Sequence, residues 1–210
     1  MPYIKSKETL LKFAIFLAMI TVVYNIFEGL VAVYFGLANE TLSLFGFGLD
    51  SFVEVISGVG IWHMVLRIQR NEDEYRDDFE KTALKITGVA FYLLAIGLLI
   101  SSLNNLINSS RPVTTLWGII ISSISILVMW WLIHNKKKVG TKLHSDAMIA
   151  DANCTRVCMQ LSFVLLIASL GYEIFKIGII DGIGTLIISG ISYREGKEAF
   201  AKSLNRSDCC

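Results

Sequence analysis

Carboxylates, thiols and an amide recur at helical spacing inside segments that are otherwise almost wholly apolar. Asp50 and Glu54 are four residues apart, as are Cys154 and Cys158, and Asp151 precedes Cys154 by three, on the same helical face. Asn25 and Glu28 form a third group, and Asp181 stands in a fourth segment. Oxygen and sulfur groups of these types bind divalent ions, and thiolates favour soft or borderline ions over magnesium, calcium or manganese. A carboxylate at mid-membrane costs about 2.5–3.5 kcal/mol on insertion scales, so it persists where it has a partner or a task. Two acids one turn apart also repel each other unless they share a cation or a proton.

Plainer readings stand beside these. Cysteines in membrane helices also serve as small packing residues. Glu28 could hydrogen-bond a neighbour while protonated. Asp181 could brace its segment near Gly178, Gly182 and Gly184, where Gly178 and Gly182 make a small-xxx-small pair. The acidic run Glu72, Asp73, Glu74, Asp77, Asp78, Glu80 reads as a solvated loop face.

The elements that must position these groups are membrane helices. The chain of 210 residues is 54% hydrophobic and 18% charged, with a mean hydropathy of +0.59, more apolar and less charged than soluble domains. About 20 apolar residues span the hydrocarbon. Six stretches qualify: Phe13–Leu37, Ser43–Leu66, Ala83–Leu106, Val113–Ile133, Ala147–Leu170 and Ile174–Tyr193. The expected fold class is an all-α integral membrane protein. Residues 1–12 form a cytoplasmic N-terminal segment, 13–193 the six-helix domain and 194–210 a short cytoplasmic tail. The connections between the second and third and between the fourth and fifth helices are expected to be longer and charged.

Basic residues set the orientation. Lys5, Lys7 and Lys12 precede the first helix, and Arg67, Arg70, Arg76, Lys81 and Lys85 flank the second connection. Lys136, Lys137, Lys138 and Lys142 follow the fourth helix, and Arg194, Lys197, Lys202 and Arg206 the sixth. Only Arg111 and Lys176 mark the opposite side, so both termini are expected in the cytoplasm. From that boundary, Asn25, Glu54, Cys158 and Asp181 fall roughly 17–18 Å deep, and Glu28 and Asp50 about 22–24 Å. Cys154 lies at about 10 Å and Asp151 at about 6 Å. Helices one, two, five and six are therefore expected to enclose a polar site, with three and four as packing elements.

With those residues in place, the chain resembles the transmembrane domain of the cation diffusion facilitator family of metal/proton antiporters. Asp50-Ser51-Phe52-Val53-Glu54 is similar to the family's second-helix ligand pair. Ala150-Asp151-Ala152-Asn153-Cys154-Thr155-Arg156-Val157-Cys158 is similar to its fifth-helix signature. Glu80 and Asp181 also sit where the family commonly has acids. The resemblance implies metal ligands Asp50, Glu54, Cys154 and Cys158, with Asp151 as the alternative to one thiol. The accessory candidates are Asn25, Glu28, Asp151, Asp181, Cys209 and Cys210.

Family members usually carry His or Asp at the two fifth-helix positions, and a cytosolic C-terminal domain that residues 194–210 are too short to form. The resemblance thus implies proton-coupled efflux of Zn2+ or Cd2+ without a bound cofactor. The implied partners are protons and the lipid bilayer, with homodimerisation expected, in the cell (plasma or inner) membrane. The net charge of +1 gives no reason to expect nucleic acid, and there is no Walker lysine motif or glycine-rich phosphate loop. Two other classes compete. One is a membrane thiol–disulfide oxidoreductase using Cys154 and Cys158, although such enzymes favour an accessible C-x-x-C. The other is a membrane protein that binds metal without moving it.

Overall fold

The computed structural model describes residues 2–38, 41–70, 78–108, 114–144 and 146–204. Among these there are six helices and no strand: α1 (Pro2–Leu37), α2 (Leu42–Gln69), α3 (Asp78–Asn108), α4 (Leu116–Leu143), α5 (Asp146–Phe175) and α6 (Ile179–Ser203). Helices α1 to α5 each contain a stretch long and apolar enough to cross a membrane. α6 is not among them, because its Gly, Ser and charged residues dilute the apolar run. It packs in the bundle nonetheless, most extensively against α3, with further contacts to α5 and α2. α1 pairs with α2, and α4 with α5.

The distribution of side chains is that of a membrane bundle. Phe27, Leu93, Leu127, Trp130, Ile167 and Ile174 point outward and are exposed. The interior holds Asn25, Asp50, Ser51, Thr87, Ser125, Ser162, Asp181 and Thr185. Apolar groups facing out and polar groups facing in suit a lipid surround, where an unsatisfied polar group is costly.

The helices are longer than the sequence analysis expects. α1 starts at Pro2, so residues 2–12 belong to the first helix, and α6 runs ten residues past Tyr193. α4 continues ten residues past Ile133, placing Lys136, Lys137, Lys138 and Lys142 on a helix. The expected long connection between the fourth and fifth helices is accordingly short, α4 ending at Leu143 and α5 starting at Asp146. Lysine is a good helix former, so the helix does not stop where its apolar stretch does. His144 ends it in the left-handed conformation, φ 51°, with its N–H turned to the carbonyls of Gly140 and Thr141.

Two apolar clusters bracket the bundle's middle. Leu17, Met64, Met129, Leu132 and Met148 pack in the half that carries both chain ends. Leu44, Phe47, Phe91, Leu94, Leu161, Leu165 and Ile188 fill the other half. α1 and α2 touch closely there: a Cβ on Gly48 would lie 2.8 Å from the backbone nitrogen of Val33. Of the small-xxx-small pair, Gly182 faces Leu106 of α3 and its carbonyl accepts a 2.7 Å bond from Ser102, while Gly178 only precedes α6.

Candidate metal centre

Helical periodicity brings the paired residues to facing positions on α2 and α5. The Cys158 thiol donates a hydrogen bond to Glu54 Oε1. The second carboxylate oxygen, Oε2, accepts from Asn25 Nδ2 of α1 at 3.3 Å. Glu54 is thereby held by three helices. Cys158 Sγ also lies 3.6 Å from the carbonyl oxygen of Cys154, and both cysteines are free thiols.

These groups line one cavity of about 50 Å3. Its walls are Thr21 and Asn25 of α1, Glu54 and Gly58 of α2, and Asp151, Cys154, Thr155 and Cys158 of α5, with Glu195, Ala199 and Lys202 of α6. Leu84, Thr87 and Phe91 of α3 complete it, so the third helix is a wall of the site and not only a packing element. Except for Phe91, which belongs to the second apolar cluster, these residues lie in the half of the bundle bearing the chain ends or in its middle. The second apolar cluster adjoins the cavity at Phe91.

Asp50 sits one turn from Glu54 and is only 2% exposed, but it does not line the cavity. Its Oδ1 has no hydrogen-bond partner among the described residues. The charges acting on it are those of Glu54, Glu195 and Glu28, all acidic. Among the described residues no three His, Cys, Asp or Glu side chains are gathered into a ready metal cage. Of the α2 and α5 pairs, Glu54 and Cys158 are in contact, Cys154 shares the cavity wall, and Asp50 stands outside it.

The remaining candidates have other partners. Asp151 pairs with Lys136 of α4 at 2.9 Å, and the same ammonium donates to Thr155 Oγ1 at 2.9 Å. Lys136 is wholly buried. Far from being a solvated loop charge, it neutralises Asp151 between α4 and α5. Asp181 caps α2: its carboxylate accepts from the backbone N–H of Leu42 at 2.9 Å and of Ser43 at 3.0 Å, and from Ser43 Oγ at 2.7 Å. Those N–H groups have no partner within their own helix, and a negative charge there suits the helix dipole. Glu28 accepts from Tyr24 at 2.8 Å and Ser51 at 3.3 Å. Glu72, Asp73, Glu74, Asp77, Cys209 and Cys210 lie outside the described residues.

Residues 14–205 match the sequence model of the cation efflux transmembrane domain. The chain belongs to the cation efflux family. Members of that family are transporters and not enzymes, which sets aside the thiol–disulfide oxidoreductase, and this cation efflux protein is a multi-pass membrane protein. It is 31% identical over 100 residues, 48% of its length, to the "Mitochondrial metal transporter 2" of Saccharomyces cerevisiae. The match spans about a fifth of that relative's own length, 20%.

Two charged wall residues of this cation efflux protein escape the sequence analysis, which assigns Glu195 and Lys202 to a short cytoplasmic tail. The signal was present as spacing. Asp181, Thr185, Ile188, Ser192, Glu195, Ala199 and Lys202 follow steps of three and four, so one face of α6 runs unbroken from the α2 cap to the cavity.

Proposed function

We propose that this protein exports a divalent metal ion, Zn2+ or Cd2+, by proton-coupled alternating access, with Asp50, Glu54, Cys154 and Cys158 as ligands. One observation carries the reading: the Cys158–Glu54 hydrogen bond sets a thiol of α5 against a carboxylate of α2 in the wall of a cavity. Two such pairs, one per helix, supply the four ligands that zinc takes in tetrahedral sites. With both termini cytoplasmic, the cavity faces the cytoplasm and the Phe47–Leu161–Ile188 layer is the closed outer gate.

The proton on the Cys158–Glu54 pair must leave before metal binds, because thiols and carboxylates ligate in their deprotonated forms. Metal and protons therefore compete for the same groups, which is the minimum needed for exchange. Asp50 turns toward Glu54 when the ion arrives and completes the cage. Asp151 and Asp181 stay outside the ligand set, engaged by Lys136 and by the α2 N-terminus.

Zinc and cadmium uptake into proteoliposomes holding a metal-sensitive dye tests this, with and without an imposed pH gradient. Flux that follows the gradient is the expected result. Stoichiometric binding without flux would support the non-transporting alternative.

A further inference from the structure

Among the described residues, Lys202 is the one basic side chain in the cavity wall. Its Nζ lies 3.3 Å from Cys154 Sγ and 3.1 Å from Glu198 Oε1, one turn back on α6. The Lys202 and Glu198 side chains are only 12% and 16% exposed. The stem runs from α6 into the cavity, and the ammonium stops against the sulfur instead of reaching for solvent. Lysine side chains ordinarily extend their charged heads to water, so this placement has a local electrostatic cause. Glu195 is that cause, together with Glu198: both acids stand on the same stretch of α6, and Glu195 shares the cavity wall.

We infer that Lys202 is a tethered cation that occupies the metal's place at Cys154 when the carrier is empty and is displaced when the ion binds. The inference rests on the reading of Cys154 as a ligand. With Nζ 3.3 Å from the sulfur and a metal–sulfur bond of about 2.3 Å, a divalent ion on that thiol would stand no more than about 5.6 Å from an ammonium in the observed position, a repulsive arrangement in a partly buried site. The ion and the ammonium compete for the thiol, so binding requires Lys202 to leave the sulfur while it keeps its pair with Glu198. When the ion leaves, the ammonium returns to Cys154, beside Glu195 and Glu198. The empty carrier then reorients without an uncompensated cluster of acids in its core. Lys136 differs in kind, being fully buried and fixed on Asp151, away from the cavity's free volume.

The expected signature is a gain of affinity on removing a charge. Cadmium titrated into the purified full chain is followed by its thiolate absorption band. Lys202→Gln, and Lys202→Met as a second neutral variant that keeps the aliphatic packing, should bind roughly tenfold tighter than wild type. Lys202→Arg, which keeps the charge, should not. Proteoliposomes of the neutral variants should show slower turnover at saturating cadmium, because the empty carrier has lost its counter-charge. In the double variant Lys202→Gln/Cys154→Ser the gain should vanish, since the competition is for that sulfur.

A merely structural lysine predicts lost affinity in all three single variants, and that result overturns the inference. Unchanged affinity in both neutral variants, with Cys154→Ser still weakening binding, overturns the tethered cation alone and leaves the ligand assignment standing. If Cys154→Ser binds cadmium like wild type, the ligand assignment and the inference fall together.

Discussion

The Cys158 thiol donates to the Glu54 carboxylate, and through that bond α5 and α2 meet in the wall of the cavity. A thiol against a carboxylate is a mixed soft and hard pair, and its sulfur biases the site toward soft ions. Cys158→Ser keeps a hydrogen-bond donor and removes the sulfur. Cadmium transport should fall more than zinc transport, shifting the ratio of their rates by about tenfold or more. Parallel dye-loaded proteoliposome assays with the two ions check it, and an unchanged ratio would remove Cys158 from the ligand set.

Asn25 holds the other oxygen of Glu54 from α1 at 3.3 Å. It orients a proposed ligand without needing to touch metal. Partners of this kind typically contribute 10–100-fold to metal affinity or activity, about the loss expected for Asn25→Ala. Asn25→Asp should be worse in the empty protein, because it brings a further acid to Glu54. Isothermal titration with zinc measures both.

The buried Lys136–Asp151 pair makes a stability prediction with a sign that changes on combination. Removing one partner strands the other charge, and breaking buried pairs costs about 3–5 kcal/mol. Lys136→Met alone and Asp151→Asn alone should each lower the thermal midpoint sharply. Lys136→Met combined with Asp151→Leu should recover most of the loss, since two apolar side chains replace two charges. Thermal unfolding in detergent reads the three variants. Equal damage in the single and double variants would mean that the pair does more than neutralise itself.

Much of this arrangement is legible in the sequence, and the failures have a common cause. Spacing alone places Asp50 with Glu54 and Cys154 with Cys158 on shared faces, because a helix fixes which residues align. It also identifies six helices, although only α1 to α5 carry a stretch long and apolar enough to cross a membrane. What spacing cannot supply is the partner across a helix pair. Lys136 reads as a loop charge because its neighbours Lys137 and Lys138 are polar, and only the α4–α5 turn brings Asp151 to it. Asp181 resembles a ligand by depth, yet its oxygens are occupied by the first N–H groups of α2, a contact between residues 138 and 139 positions apart. Glu195 and Lys202 are missed because α6 outlasts its apolar run.

Asp181 provides a direct contrast between cap and ligand. Asp181→Ala removes the acceptor of Leu42 and Ser43 N–H, and lost caps of this type cost about 1 kcal/mol, up to 2. The thermal midpoint should fall accordingly, while zinc affinity in the surviving folded fraction stays at the wild-type value. Asp181→Asn retains one acceptor oxygen and should fall between. A loss of zinc affinity in both variants, out of proportion to stability, would return Asp181 to the metal site.

Asp50 is the residue for which stability and function should move in opposite directions. It is buried, one of its oxygens is unpartnered among the described residues, and its charged neighbours are acids. Among the described residues no hydrogen bond compensates that oxygen, so its presence is a cost that a bound cation offsets. Asp50→Asn keeps the shape and removes the charge. The variant should unfold at a higher temperature than wild type, by the order of 1 kcal/mol typical of relieving a strained functional site. It should carry no metal in the proteoliposome assay, and added zinc should no longer raise its thermal midpoint, whereas zinc stabilises wild type by mass action. A variant that is less stable than wild type and still transports would show that Asp50 is a packing residue, leaving Glu54 and the two thiols to hold the ion without it.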